Sequence, residues 1–207
     1  MELNRRQCFA LVGTGLWSWC GMRHGWAAEP AIAPTLASLP EDLLPAWRQA
    51  RLQGAGQLRF LGLLIYEARL WVQPGWSAER FAQTPLVLEL IYSRALSGAR
   101  IAERSLKEMQ GVGRATPEQA AGWLAQMKAL FPDVKANDRI SGLLRPGKAA
   151  QFFLNGKLLG EVVDAEFAEL FFGIWLSPQT SEPKLRQSLI GAALQPLTWA
   201  PNGHPLT

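Results

Sequence analysis

The chain has 207 residues, of which 48% are hydrophobic and 18% charged, with a formal net charge of +4. This composition is typical of one folded globular domain and excludes an intrinsically disordered chain. Residues 1–28 contain three arginines and one glutamate, so +2 of the net charge lies there and +2 in the remainder. The remaining basic residues form no stripe with interleaved aromatic side chains, which argues against a nucleic-acid partner.

Residues 1–28 have the layout of a signal peptide. Arginines at 5–6 precede an apolar run over 8–22, and alanines at 27–28 offer a small-residue cleavage site. The arginine pair resembles a twin-arginine export signal, although Phe9 falls one place late, and the general secretory route stays open. The run is short for a transmembrane helix, so a retained membrane anchor is the alternative. We expect a periplasmic or secreted protein without a stable membrane span after cleavage.

The distribution of cysteine and histidine limits the chemistry of the expected mature protein. Both cysteines, Cys8 and Cys20, lie in the signal segment, as does His24. His204 is the other histidine and lies three residues from the end of the sequence. A cysteine nucleophile and a thiolate metal site are therefore excluded, and a histidine-based triad or metal site would need a tail residue. We predict no metal site and no cofactor.

The first half of the expected mature chain is rich in strand signals. Proline and alanine dominate 29–49, which predicts an extended leader over the surface. Glycines at 54 and 56 precede an apolar stretch over 58–72, which predicts one curved strand or two strands. A second strand is predicted at 86–92, with Glu89 as its one charged position.

The second half alternates helical and hairpin signals. Ser97 and Gly98 open a helix with one apolar face, and Thr116 is predicted to cap a second helix that ends at Pro132. Further elements are predicted in the order hairpin, helix and helix, over 151–163, 164–175 and 182–194. Strands and helices in this order predict an α+β fold with an antiparallel sheet, which leaves room for a pocket between sheet and helices.

Several segments in this order resemble the bacterial chalcone isomerase-like family. The most specific is Phe-Phe-Gly-Ile-Trp-Leu-Ser-Pro at 171–178. The other matching segments are 54–56, 65–70, 90–94, 131–134, 137–140, 152–156 and 185–186. The resemblance covers about residues 50–195 and implies an open-faced β-sandwich, with a large antiparallel sheet, a layer of helices and a ligand cleft between them. Residues 196–207 are left as a C-terminal tail.

The resemblance implies two functional groups: enzymes that close a flavanone ring from an enone, and fatty-acid-binding proteins without known catalysis. This sequence departs from the enzymes at their reactive positions. Leu58 falls where the enzymes carry an arginine, and Leu61 falls near their strand threonine. Ile101 stands in place of their tyrosine, whereas Arg104 keeps the positive charge of their lysine. We therefore assign no catalytic residue.

Five residues are candidates for ligand binding: Arg59, Tyr66, Tyr92, Arg104 and Met109. Arg59 lies one place after the enzymes' arginine position, and a guanidinium suits a carboxylate ligand. The tyrosines would line the cleft, Arg104 would supply charge and Met109 a pliable apolar wall. Each also has a simpler reading, as an exposed strand arginine, half-buried strand tyrosines, a solvated helix arginine or a core methionine.

Three functions follow for comparison with the structure. The favoured one is an exported, non-catalytic protein that binds a fatty acid or another apolar acid between sheet and helices. The first alternative is a chalcone isomerase-type enzyme acting on an enone or flavonoid. The second alternative is a structural or interaction module whose cleft is merely core.

Overall fold

A computed structural model describes residues 44–191, with side chains from residue 46. The predicted signal peptide (1–28), most of the predicted leader (29–43) and the C-terminal tail (196–207) lie outside the described residues. Six strands form one sheet: β1 (Arg51–Phe60), β2 (Leu63–Val72), β3 (Leu86–Tyr92), β4 (Arg139–Arg145), β5 (Ala149–Leu154) and β6 (Lys157–Val162).

Four α-helices accompany the sheet: α1 (Gly98–Val112), α2 (Pro117–Leu130), α3 (Ala165–Leu176) and α4 (Pro183–Ile190). Short 3-10 helices lie at Leu44–Trp47 and Ala78–Gln83. Helices α1 and α2 connect β3 to β4, whereas α3 and α4 follow β6. None of the helices in the described part of the chain combines the length and apolar character needed to cross a bilayer.

The sheet is an antiparallel meander in which each strand pairs with the next one in sequence. Alternate side chains point to opposite sides of such a sheet. One side, here called the helix face, packs against the helices and includes Leu70, Leu88, Tyr92 and Phe152. The other side, here called the open face, includes Arg69, Trp71, Glu89, Ser141 and Phe153.

The helix face holds the main core. Phenylalanines from β5 and α3 dominate it: the rings of Phe152 and Phe171 are 4.9 Å apart and nearly perpendicular, and Phe167 stacks on Phe171 at 5.6 Å. Phe131, after α2, completes the group at 5.0 Å from Phe152. Edge-to-face and offset contacts of this kind add to the stabilisation from burial, so these rings fix α3 on the sheet.

The predicted helix starts are confirmed in detail. Thr116 accepts a hydrogen bond from the backbone N–H of Gln119, whose side chain accepts one from the Thr116 N–H, forming a capping box. Asp164 accepts hydrogen bonds from the N–H groups of Glu166 and Phe167 at the start of α3. Its second oxygen accepts one from Trp123 Nε1 at 2.9 Å, which joins α2 to α3.

The fold class predicted from the sequence is confirmed, but two strand assignments differ. The apolar stretch at 58–72 is two strands, which is one of the two predicted alternatives, but β1 begins at Arg51, seven residues before that stretch. Glycines 54 and 56 lie inside β1 because α4 packs directly on them: a β-carbon at Gly54 would overlap the carbonyl oxygen of Ser188. Strand β4, over Arg139–Arg145, was not predicted.

Candidate functional site

Tyr66 and Tyr92 lie opposite each other in the β2–β3 pair, at the end of the sheet where these two strands stop pairing. Their rings meet edge to face, 5.9 Å apart. Tyr92 is buried, and Tyr66 is partly buried against the main core. Both tyrosines thus lie on the helix face; the sequence left a place in the cleft and half-buried strand positions open, and their role in ligand binding stays a prediction.

The Tyr66 hydroxyl has a partner on the helix layer. Trp175 Nε1, from α3, donates a hydrogen bond of 3.0 Å to Tyr66 Oη. An indole N–H is a donor only, so this hydroxyl accepts from Trp175 and keeps its own hydrogen to donate. This contact was not predicted from the sequence, where 171–178 served only as the most specific segment of the family resemblance; the available signal was that a buried tyrosine needs a hydrogen-bond partner.

The environment keeps both phenols neutral. Burial raises the pKa of Tyr66 well above its ordinary value, while the Trp175 hydrogen bond lowers it; the charges of Glu182, Arg104 and Glu108 act more weakly. Burial also raises the pKa of Tyr92. Because the ionised form is disfavoured, Tyr66 presents an O–H donor at neutral pH and not a phenolate.

Arg104 lies on α1 at the rim of this region. Its Nε contacts Glu108 Oε1 at 2.6 Å, one helical turn on, and its side chain is 54% exposed. Ser181 Oγ donates a hydrogen bond of 2.6 Å to the other oxygen of Glu108, which ties α1 to the loop before α4. A charged group of this exposure contributes little to stability, but its four Nη hydrogens are suited to an anionic ligand.

Met109 is fully buried on α1 and belongs to the same apolar cluster as Tyr92 and Trp175. This position satisfies both interpretations made from the sequence, a core methionine and a pliable wall of the space between layers. Side chains of the cluster fill that space around the tyrosines. An apolar tail could enter there only if flexible side chains such as Met109 moved.

Arg59 does not join this group. The β1–β2 register shifts between Leu58 and Arg59, so that Leu58 faces Tyr66 and the core while Arg59 lies at the exposed end of the hairpin. The Arg59 guanidinium donates to Gln57 Oε1 at 3.2 Å and to the Gly62 carbonyl at 3.3 Å. The expected position between sheet and helices is therefore corrected, because alternate strand residues face opposite sides. The ligand-binding role of the five residues stays a prediction.

Two surface depressions lie away from the tyrosines. One, of about 490 Å³, is lined by Trp47, Leu143, Arg145, Lys148 and neighbouring residues. The other, of about 240 Å³, is lined by Gly75, Ser77, Arg80, Gln83 and Thr84. Neither lies between the sheet and the helix layer. Within residues 44–191, no His, Cys, Asp or Glu side chains are grouped in threes as a metal ion would require.

A buried ionic group lies on the open face. Glu89 is 0% exposed and lies between two arginines of the neighbouring strands, with Arg139 Nε at 3.2 Å and Arg69 Nη1 at 4.0 Å. Glu67 pairs with Arg69 at 2.7 Å, so the four charges balance. Glu89 stands out in the sequence as the one charged position of its strand, but its partners do not, because the sheet register brings them from β2 and β4.

The predicted leader differs in its described part. Residues Leu44–Trp47 form a 3-10 helix, and Trp47 is buried on the open face with Trp71, Val87, Leu143 and Phe153. A buried indole contributes much apolar area, so this end of the leader belongs to the folded unit and does not run freely over its surface.

An antiparallel sheet with helices on one face and two buried tyrosines beneath them defines an open-faced α+β protein. The sequence profile of the family described as chalcone isomerase-like matches residues 38–191, and the chain belongs to this family.

Two further likenesses accompany the family match. An uncharacterized protein of Haemophilus influenzae is 31% identical over 127 residues, which are 61% of each chain, so the match spans less than two thirds of that relative. The crystal structure of a fatty-acid binding protein of Arabidopsis thaliana superposes with a TM-score of 0.56 and 13% identity. That superposition covers 75% of this chain and 90% of the plant chain, and it shows a shared fold.

Proposed function

We propose that this protein is an exported, non-catalytic binding protein for a fatty acid or a similar apolar acid. The observation that best supports this proposal is the neutral Tyr66 hydroxyl. It accepts a hydrogen bond from Trp175 and keeps its own hydrogen to donate, beside Arg104 at the rim. The name of the plant protein with the same fold, a fatty-acid binding protein, supports this choice of ligand.

The head group would lie at the rim of the helix face. A carboxylate there would accept a hydrogen bond from Tyr66 Oη and a charge-assisted one from an Arg104 Nη, since Arg104 Nε contacts Glu108. The apolar tail would lie beneath α1 and α3, in space held by Met109 and its neighbours. Binding therefore requires this part of the core to open, and we expect the ligand to stabilise an opened arrangement.

A first experiment tests ligand binding itself. Purified protein, stripped of co-purified lipid, is titrated with lauric and palmitic acid and with the matching fatty alcohols, and heat of binding and thermal stability are followed. We expect the acids to bind and to raise the melting temperature, and the alcohols to bind at least tenfold more weakly. Absence of binding by any acid, together with empty native mass spectra, would overturn the proposal in favour of an interaction module.

Variants locate the head group. Tyr66→Phe removes one hydrogen bond and Arg104→Gln one charge, and each should weaken palmitate binding by about tenfold, the effect of about 1.4 kcal/mol. Arg100→Gln, an exposed position on the same helix, is the control and should bind as the wild type. Equal affinity in all three variants would place the acid elsewhere.

The isomerase alternative is tested by incubating the protein with chalcone. Turnover above the reaction in buffer alone would support that alternative instead.

Export is tested separately in a Gram-negative host. We expect the full chain in the periplasmic fraction, with a mass that fits cleavage near Ala27 or Ala28. Replacing both Arg5 and Arg6 with lysine should block a twin-arginine route but leave a general secretory route working. Retention of the wild-type chain in the cytoplasm would refute export.

A further inference from the structure

The β1–β2 hairpin ends in an exposed apolar turn. Phe60 is 58% exposed, Leu61 86% and Leu63 54%. Together with Gly62 these residues are here called the apolar tip. Single exposed apolar residues are ordinary on a protein surface, but three within four consecutive positions at one turn form a patch.

The β5–β6 hairpin provides a matched comparison within the same sheet. Asn155 and Gly156 have φ angles of 49° and 83°, and Leu61 and Gly62 have nearly the same values, 50° and 79°. Positive φ at both central residues is the pattern of a type I′ turn, which strongly favours Asn-Gly. Leucine is disfavoured there because its β-carbon crowds the backbone. The apolar tip thus keeps a residue that is unfavourable for its own turn and exposed to solvent.

The apolar tip also projects from the sheet. The last pair between β2 and β3 is Tyr66 with Tyr92, so residues 59–65 extend beyond β3. The tip is a convex protrusion, and side chains on a projecting turn can enter a soft surface without a complementary groove. A protruding apolar turn of this shape fits the interface of a lipid bilayer better than it fits another folded surface.

Basic residues surround this end of the sheet. Arg59 directly precedes the apolar tip, and the Ser93 N–H bonded to the Ile65 carbonyl at 2.9 Å places exposed Arg94 beside it. Lys135 and Lys157 lie at the same end, near β4 and β6. Asp133 and Asp138 at this end accept hydrogen bonds from the N–H groups of Gly98 and Lys135, and Glu67 pairs with Arg69. None of the four cations named above takes part in an ion pair among the described residues, so their charge complements an anionic surface.

We propose that the apolar tip inserts into the interfacial region of an anionic lipid bilayer, with Arg59 and Arg94 contacting lipid head groups. Tyr66, only three residues beyond Leu63, would then lie beside the lipid surface. The insertion rests on the tip's own exposure, turn conformation and charge, so it stands whether or not the protein binds a free acid.

The test measures partition of the purified full chain onto vesicles. Vesicles of phosphatidylcholine alone are compared with vesicles that also contain phosphatidylglycerol, by sedimentation at low and high salt. We expect binding that is stronger on the anionic vesicles and weaker at high salt. Because residues 1–28 of the full chain are also apolar and contain three of its nine tryptophans, the tip-specific readout is a difference: on vesicle addition, Leu61→Trp should show a larger blue shift of emission than the wild type, whose tryptophans give the background.

The deciding variant is Leu61→Asn with Phe60→Thr: the first change copies the Asn-Gly turn of the β5–β6 hairpin, and the second removes an exposed aromatic ring. It should lower partition onto anionic vesicles by about tenfold and leave the melting temperature unchanged or raised, since asparagine suits the turn. Val163→Ser, at an exposed apolar residue directly after the far end of β6, is the control and should leave partition unchanged. Wild-type partition in the Leu61→Asn, Phe60→Thr variant, or an emission shift of Leu61→Trp no larger than that of the wild type, would overturn the proposal. Self-association lost on the same substitution, without vesicle binding, would overturn it in favour of a protein partner.

Discussion

The two faces of the sheet are both buried, yet different chemistry holds them. On the helix face, Phe152 and its neighbours contact aromatic and aliphatic side chains brought by four helices. On the open face, the adjacent Phe153 packs under Trp47, while Glu89 is buried between two arginines. Burial alone therefore does not identify the candidate site. The site is distinguished by the Tyr66 hydroxyl, which accepts a hydrogen bond from Trp175 and still has its own hydrogen to donate.

The largest expected loss of stability is at Phe152 on the helix face, and its neighbour Phe153 on the open face provides the comparison. Phe152→Ala should lower the free energy of unfolding by about 4 kcal/mol because Phe131, Phe167 and Phe171 enclose the cavity that it leaves. Phe153→Ala should cost about 3 kcal/mol or less, since the short segment carrying Trp47 can settle into the gap. Urea unfolding of both variants measures the difference. A larger loss for Phe153→Ala would mean that the open face is the more rigid one.

The next test addresses the buried charge of the open face. Glu89→Ala leaves Arg69 and Arg139 facing each other without their shared carboxylate, and we expect a loss of about 2 kcal/mol. The loss stays below that of a fully buried pair because both arginines are partly exposed and can reach water. Glu67→Ala, which removes the outer carboxylate, is the control and should cost about 0.5 kcal/mol. If urea unfolding gave equal losses of unfolding free energy for the two variants, the burial of Glu89 would add nothing to its contribution.

A smaller effect concerns how the helices are held on their face. Asp164→Ala removes the cap of α3 and the acceptor of the Trp123 indole, and we expect a loss of about 1.5 kcal/mol. Thr116→Ala removes the exposed cap of α2 alone, so its loss should be about 1 kcal/mol. Thermal unfolding of the two variants compares them, and a greater loss at Thr116 would contradict the linking role of Asp164.

The smallest predicted effect appears at alkaline pH. Because burial raises the pKa of Tyr92 in the folded state, the unfolded chain releases this proton first as the pH rises above about 10. The contribution is therefore complete below pH 10 and declines above it, by about 0.8 kcal/mol at about pH 10.5. Wild type and Tyr92→Phe are unfolded in urea between about pH 9 and pH 10.5. The wild type should lose that much more stability, and parallel curves would contradict the neutral buried phenol.

Local signals in the sequence predicted local features well. The caps at Thr116 and Asp164, the Asn155-Gly156 turn and the strand at β3 follow from a few adjacent residues, and all are confirmed. Strand β4 was missed because Ser141 and Gly142 interrupt its apolar pattern. Gly142 is tolerated since Phe172 packs against it from α3, a contact that no local window contains.

In the candidate site, too, features set by adjacent residues could be predicted, and contacts between distant residues could not. The sequence left the two tyrosines open between a place in the cleft and half-buried strand positions, because alternation fixes the face of a strand residue only once the strand pairing is known. For Arg59 the sequence left a ligand-binding role and an exposed strand position open, and its side chain lies away from the core because it directly follows Leu58, which pairs with Tyr66. The Trp175 partner was missed because it lies 109 residues from Tyr66 in sequence.

The sequence by itself determined the order of elements, the helix ends and the resemblance to the family to which the chain belongs, because periodicity, caps and turns act over a few residues. Only the tertiary structure decided that Tyr66 meets Trp175, that Glu89 lies between two arginines and that Arg59 lies with the apolar tip outside the core. These facts depend on strand register and helix packing, which arise from contacts between residues distant in sequence.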